Sequence, residues 1–519
     1  MAAPHHVVVA PLLAALATAI ATLLLRPLPR AQRAVSLLGG VAYAAGVAFL
    51  YRAVVADPDG YLVYALSNWE APFGIVAVAD PLSAFMLVIA AVVGLAALVF
   101  SVGYLDPADQ TLAYHPLFHL MLVGVTGAFL TGDLFNLFVW FEVMLMASYV
   151  LVVFYSGPEH TRAALHYAVL NLIGSAVMLL AVGGIYAVTG TLNMADITAR
   201  LASGAADPVP VLGLSAVLFA VFALKAGIVP FQFWVPAAYR AAPAPVTAVL
   251  AGVVKKVGIY AIVRLYFTVF AAATLPVSLP FIEGESFLAF FGPVMFAMAV
   301  ASIVFGGIAA VNQPDLDGLL AYSSVGQVGF IVLPLAVAAT APDGGELMIL
   351  GIAAALVYSL NHGIAKGLLF LGSGAARRAT GTTEFAGLGG LSERDPVFAG
   401  AFFLGALALI GIPPLSGFFG KYLVFDVGVR AGSTAVLAVA LIGAIFTIAY
   451  FSRAWNRAFW GEPVAYERKP LLVGVVAALG ISLLVLGVGF DPVFRAAEAA
   501  AEAAVNRSGY VDAVLEVEL

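Results

Sequence analysis

The chain has 519 residues, 63% of them hydrophobic and 10% charged, with a formal net charge of −6 and a mean hydropathy of +1.06. Soluble domains are nearer half apolar and a quarter charged, so this composition excludes an ordinary soluble fold and indicates a polytopic membrane protein. No cysteine is present, which excludes disulfides, thiolate metal sites and iron–sulfur clusters.

The first apolar run, 7–25, has no basic flank before it and reads as a retained helix, not a cleaved signal. Runs of roughly 18–25 apolar residues predict an all-α protein of about fourteen spans. They lie near 7–25, 34–54, 81–102, 114–131, 133–155, 163–188, 208–233, 244–270, 288–309, 318–340, 347–374, 396–426, 432–452 and 470–490. Residues 491–519 read as a polar, Ala/Glu-rich tail with a short amphipathic helix.

The distribution of basic residues tests this map, because loops on the inner side of a membrane are enriched in Lys and Arg. With the N-terminus outside, the inner loops hold twelve: Arg26, Arg30, Arg33, Arg162, Arg240, Arg377, Arg378, Arg394, Arg453, Arg457, Arg468 and Lys469. The outer loops and helix ends hold three, Arg52, Arg200 and Arg430. One span more or fewer would scramble that bias, so it supports the count and places both termini outside.

The fifth span carries Glu142 near its middle. An ionised carboxylate at that depth costs at least ~2.5–3.5 kcal/mol, so it must face a protein interior, water or a cation. Lys225 on the seventh span is the expected partner. Burial and pairing shift the protonation of such groups in opposite directions, and a group held between the two can gain or lose a proton when a neighbouring charge moves. The seventh span is interrupted around Gly227 and Pro230, and the twelfth around Gly411, Pro413 and Pro414. Proline removes a ladder hydrogen bond and clashes with the preceding turn, so both helices should break at mid-membrane, each near a lysine. The breaks lie five spans apart, an odd offset that makes the matching elements antiparallel. Paired broken helices point to an ion site in transporters.

Lys255 and Lys256 are adjacent on the eighth span and point about 100° apart. Lys256 is expected to face the cavity of Lys225, and Lys255 its side or a neighbouring helix. On the eleventh span His362 and Lys366 are four residues apart on one face, and histidine titrates near neutrality. Lys421 closes the row on the twelfth span, with Asp426 further along. His115 and His119 are expected at the inner membrane interface, beside Asp106 and Asp109. No Gly-rich phosphate loop follows a strand, so no nucleotide site, cofactor or metal is expected. No redox or hydrolytic site is visible either, and nucleic acid is not an expected partner.

At these residues the sequence resembles a known family. The stretch 133–149, Thr189-Gly-Thr-Leu-Asn-Met-Ala-Asp196, Ala242-Pro-Ala-Pro-Val-Thr247, Leu320-Ala-Tyr-Ser-Ser-Val-Gly-Gln-Val-Gly329, Asn361-His-Gly-Ile-Ala-Lys366 and Gly411-Ile-Pro-Pro-Leu-Ser-Gly417 resemble the antiporter-like subunits of respiratory complex I and of the Mrp cation/proton antiporters. The resemblance spans about residues 75 to 460. It is greatest to the D-type subunits of Mrp Na+/H+ antiporters, with the M, N and L subunits of NADH-quinone oxidoreductase in the same group. It implies two inverted five-helix repeats and a hydrophilic axis along the membrane plane. The implied layout is helices 1–3 in 1–110, the first repeat in 111–270, the second in 285–457, and the last helix and tail in 458–519. It further implies a proton relay of Glu142, Lys225, Lys256, His362, Lys366 and Lys421. One departure stands out: Asp317-Gly318 occupies the place of a usual basic pair, so that loop is expected to dock differently on a neighbouring subunit.

Two functions follow from the resemblance. One is the proton-translocating subunit of a multisubunit Na+ or K+/H+ antiporter in the plasma membrane. The other is a proton-pumping subunit of a complex I-like NADH:quinone oxidoreductase or membrane-bound hydrogenase, with the redox chemistry elsewhere. Both need other membrane subunits as partners and lipid around them. A non-conducting scaffold is disfavoured by five lysines at membrane depth.

Overall fold

The computed structural model describes residues 5–275 and 286–516. The segment boundaries placed at 1, 285 and 519 lie outside the described residues. Among those described, twelve helices are long and apolar enough to cross a membrane. In chain order they are spans 1 (His5–Leu24), 2 (Pro29–Ala56), 3 (Pro81–Tyr104), 5 (Leu134–Val152), 6 (Pro158–Thr189), 7 (Pro208–Ala226), 8 (Ala244–Ala272), 9 (Phe287–Val311), 10 (Leu316–Ala338), 11 (Glu346–Thr380), 13 (Thr434–Phe459) and 14 (Pro470–Val488). The shorter apolar helices His115–Leu130 and Pro396–Ile410 supply spans 4 and 12, giving the fourteen expected.

The span ends follow local chemistry. Proline opens spans 2, 3, 6, 7, 12 and 14, where its missing N–H costs nothing and its φ suits the first turn. Carboxylates cap free amides: Asp133 accepts from the Asn136 N–H at 2.6 Å, Asp315 from Gly318 at 2.6 Å and Asp395 from Phe398 at 3.1 Å. Many of the chain's acids therefore mark helix starts. Between spans 2 and 3 lies an antiparallel hairpin, Leu62–Ala65 with Val76–Ala79, which the apolar-run count did not anticipate.

Both expected helix breaks are present. Span 7 stops at Gly227 (φ 67°) and resumes as Trp234–Ala241. Span 12 stops at Gly411 (φ 93°) and resumes as Ser416–Arg430. In each case glycine takes the left-handed conformation that ends a helix without a Cβ penalty.

Spans 8, 10 and 11 are buried almost throughout, whereas spans 1, 2, 6, 13 and 14 turn apolar side chains such as Leu24, Phe49, Leu180, Ile445 and Val488 outward. Helices shielded from lipid can hold polar groups that lipid-facing helices cannot. The tail forms two helices, Phe490–Val505 and Arg507–Leu515. The first buries Ala497, Ala500, Ala501 and Ala504.

The basic bias predicts the orientation, and two exposed positions test it, Glu384 after span 11 and Ser203 before span 7. In a chain without cysteine, a Glu384→Cys variant should react with an impermeant thiol reagent only from inside, and Ser203→Cys only from outside. Labelling of Glu384→Cys from outside would invert the topology.

Candidate functional site

Glu142 sits halfway along span 5 and is half-buried. Its carboxylate accepts a hydrogen bond from the Ser175 hydroxyl on span 6. Lys225, in the last turn of span 7's first half, is buried and donates to the Tyr167 hydroxyl at 3.4 Å. Tyr167 reaches Ser148 of span 5 at 3.0 Å. Its ring and that of Trp234 lie 5.7 and 5.9 Å from the Lys225 ammonium. The expected direct Glu142–Lys225 contact is thus replaced by a bridge, in which Tyr167 links Lys225 to the helix that carries Glu142. Both belong to one cluster, but no ion pair joins them among the described residues.

The two lysines of span 8 divide as their angular offset requires. Lys256 contacts His362 Nδ1 of span 11 at 2.7 Å, and Lys255 turns to Ser324 of span 10, its ammonium 3.4 Å from the hydroxyl. Lys255 also lies against the break in span 7: a Cβ on Gly227 would stand 3.1 Å from its Nζ. So Lys255, not Lys256, faces the break that follows Lys225, while Lys256 faces span 11. Lys255 is the member of the row that the spacing of the sequence did not single out.

Lys366 continues the row from span 11, donating to the Leu320 carbonyl at 2.9 Å and to the Ser323 hydroxyl. Span 10 thus offers adjacent serines to two lysines, Ser324 to Lys255 and Ser323 to Lys366. Lys421 is buried on the second half of span 12, 4.8 Å from the Phe330 ring centre, with no hydrogen-bond partner for its ammonium among the described residues. A Cβ on Gly411 would stand 2.9 Å from Lys421 Cδ, so each break packs a lysine against its left-handed glycine. Beside Lys421, Gln327 donates to Tyr450 at 2.7 Å and accepts from Tyr358, whose ring stacks on Phe330. Asn361 of span 11 accepts from Ser416 at the break at 2.9 Å.

None of the six expected relay residues, nor Lys255, forms an ion pair among the described residues. The row is therefore a line of buried amines and one imidazole, held by hydroxyls, carbonyls and aromatic faces. Unlike arginine, a lysine can give up its proton. Such a row can redistribute a small number of protons among more sites than it can charge at once.

His115, the first residue of span 4, and His119 are both buried and bridged by the Ser36 hydroxyl at 2.8 and 3.0 Å. Asp317-Gly318 has an internal use. Asp317 takes Arg377, Ser373 and Thr383 as partners, and Gly318 leaves room for Arg240, which pairs with Asp315 at 2.6 Å. The two ion pairs tie span 7's second half and span 11 to the start of span 10.

The chain matches the family described as "NADH:quinone oxidoreductase/Mrp antiporter, TM" over residues 131–447, and the complex I chain 5 N-terminal family over 66–114. It is 36% identical over 474 residues to the Na(+)/H(+) antiporter D-type subunit of Alkalihalophilus pseudofirmus, covering 90% of this chain and 91% of the relative. It is 36% identical over 499 residues to the NADH-quinone oxidoreductase subunit N of Desulforudis audaxviator, covering 94% of each. A chain of the Mrp complex from Dietzia sp. DQ12-45-1b superposes with a TM-score of 0.82 at 29% identity, covering 98% of each. With this match over most of its length and its buried lysine row, the chain belongs to the NADH:quinone oxidoreductase/Mrp antiporter transmembrane family.

Proposed function

We propose that the chain is the proton-translocating subunit of a multisubunit Na+ or K+/H+ antiporter of the plasma membrane. Glu142, Lys225, Lys256, His362, Lys366 and Lys421 carry the relay, joined by Lys255, and residues 111–270 and 285–457 act as its two halves. The observation that supports this most is the line of buried lysines on spans 7, 8, 11 and 12, without carboxylate partners among the described residues. A proton added at one end raises the cost of charge at its neighbours, so charge moves along the row when the pattern at Glu142 changes. Among the described residues His362 Nε2, Ser359 Oγ and Lys421 Nζ are buried without protein partners, polar points at which water can complete the relay. Glu142 is only partly buried at mid-helix, a place that suits contact with another subunit better than lipid.

The relative named NADH-quinone oxidoreductase subunit N, similar over 94% of its length, favours the second reading, a pumping subunit of a complex I-like or hydrogenase complex. Purification of the tagged chain from its native membrane separates the two. Small antiporter subunits should co-purify, and vesicles holding the complex should exchange Na+ or K+ for H+, while the chain alone should not. Co-purifying quinone-site or hydrogenase-like subunits would establish the second reading instead. Full exchange by the isolated chain would refute a subunit role.

A further inference from the structure

Span 8 carries a second set of polar groups beyond its lysines. Lys256, Tyr260 and Arg264 follow at intervals of four, the spacing of one helix face, and all three are buried. Arg264 lies about 12 Å further along the helix than Lys256, towards the outer side in the predicted orientation. Its Nε donates to the Tyr260 hydroxyl at 3.3 Å, and that hydroxyl donates to the Phe129 carbonyl at 2.7 Å. The guanidinium forms an ion pair with Asp80, the cap of span 3, which is wholly buried. Among the described residues Arg264 Nη1 has no partner.

A buried ion pair is seldom more stabilising than apolar residues of the same volume, so its presence is not explained by stability. Its cover comes from the helices after span 14. Tyr510 lies over Arg264, ring centre to guanidinium carbon 5.0 Å, and packs edge-on against Tyr61. These helices are fastened near Arg264: Arg507 pairs with Asp343 at 2.6 Å and donates to the Phe267 carbonyl at 3.1 Å, and Thr268 donates to the Ala504 carbonyl at 2.7 Å. Tyr61 also lines a cavity of about 380 Å³, together with Asp57, Asp59, Pro81 and Glu502. Pro81 adjoins Asp80, so a thin layer separates the ion pair from an acidic outer vestibule.

We propose that the Arg264–Asp80 pair is an outer gate on a second branch of the relay, leading from Lys256 along its own helix to this vestibule, and that Tyr510 holds the gate shut. The proposal rests on the proton-relay reading above. Arginine keeps its proton, so Arg264 blocks and does not carry. With the pair closed, the guanidinium is held beside Tyr260 under the Tyr510 ring and closes the path, so no water reaches Tyr260. With the tail lifted, the guanidinium can follow Tyr510 outward and water can connect Tyr260 to the acidic cavity.

The absence of native cysteine allows a direct test in the whole complex. A Tyr260→Cys variant should be unreactive to an impermeant thiol reagent applied from outside, and should become reactive when combined with Tyr510→Ala but not with Tyr510→Phe. In vesicles holding the complex without exchangeable cation, Tyr510→Ala alone should collapse an imposed pH gradient several-fold faster than the parent, and Lys256→Ala should abolish that leak. Equal reactivity of Tyr260→Cys with and without Tyr510→Ala would overturn the gate. A leak that persists in the Tyr510→Ala/Lys256→Ala double variant would overturn the branch from Lys256. Because the labelling does not depend on transport, it distinguishes a failed gate from a failed relay.

Discussion

Glu142→Gln should abolish proton-coupled exchange while the complex still assembles. The glutamine keeps the shape of glutamate, and its amide oxygen still accepts from Ser175, so packing between spans 5 and 6 is preserved. What is lost is the negative charge at the start of the row. Without it, nothing at that end favours a proton on Lys225 in one state over another. A loss of at least about tenfold in rate is expected, equivalent to ~1.4 kcal/mol on the barrier. Because Tyr167 bridges Lys225 to span 5, Tyr167→Phe should slow transport without stopping it: the ring keeps its place against Trp234, 4.9 Å away, and only the hydroxyl goes. If Glu142 and Lys225 act as one switch, the Glu142→Gln/Lys225→Ala double variant should transport no worse than the poorer single variant. Assays in vesicles, with assembly followed on native gels, decide this. A working Glu142→Gln complex, or losses that simply multiply in the double variant, would show the two residues to be independent.

Lys421→Met should be as damaging, for a different reason. Lys421 is the last amine of the row and makes no hydrogen bond among the described residues, lying over Phe330 beside the Gly411 break. In the proposed relay its ammonium is the last station, near the exit to one side. Methionine keeps most of the volume and none of the charge, so the fold should persist and exchange should fall to the level of empty vesicles. Lys421→Ala should fail in the same way, with an added stability cost from the void it leaves, ~2–5 kcal/mol if the surroundings do not close in. The pair of variants separates a lost proton station from a collapsed helix break. Near-normal proton uptake by Lys421→Met would remove Lys421 from the path.

Some of this was open to the sequence and some was not, along a physical line. Crossing a membrane is costed residue by residue along the chain, so apolar runs fixed fourteen spans, and Gly227 with Pro230 and Gly411 with Pro413 fixed where two of them break. The depth of Glu142 and of the lysines followed at once, because position along a span is position in the bilayer. Partners were a different matter. Tyr167 between Lys225 and span 5, the division of Lys255 to Ser324 and Lys256 to His362, and Ser36 between two histidines all join residues on different spans. Asp80 and Arg264 are 184 positions apart, and Tyr510 covers them from the far end of the chain. Spans 8, 10 and 11 are buried almost throughout and apolar on nearly all sides, so no polar face in their sequence shows which neighbour each side meets. The sequence by itself determined which groups lie in the membrane and how deep; the packing of helices around spans 8, 10 and 11 alone decided which of them touch.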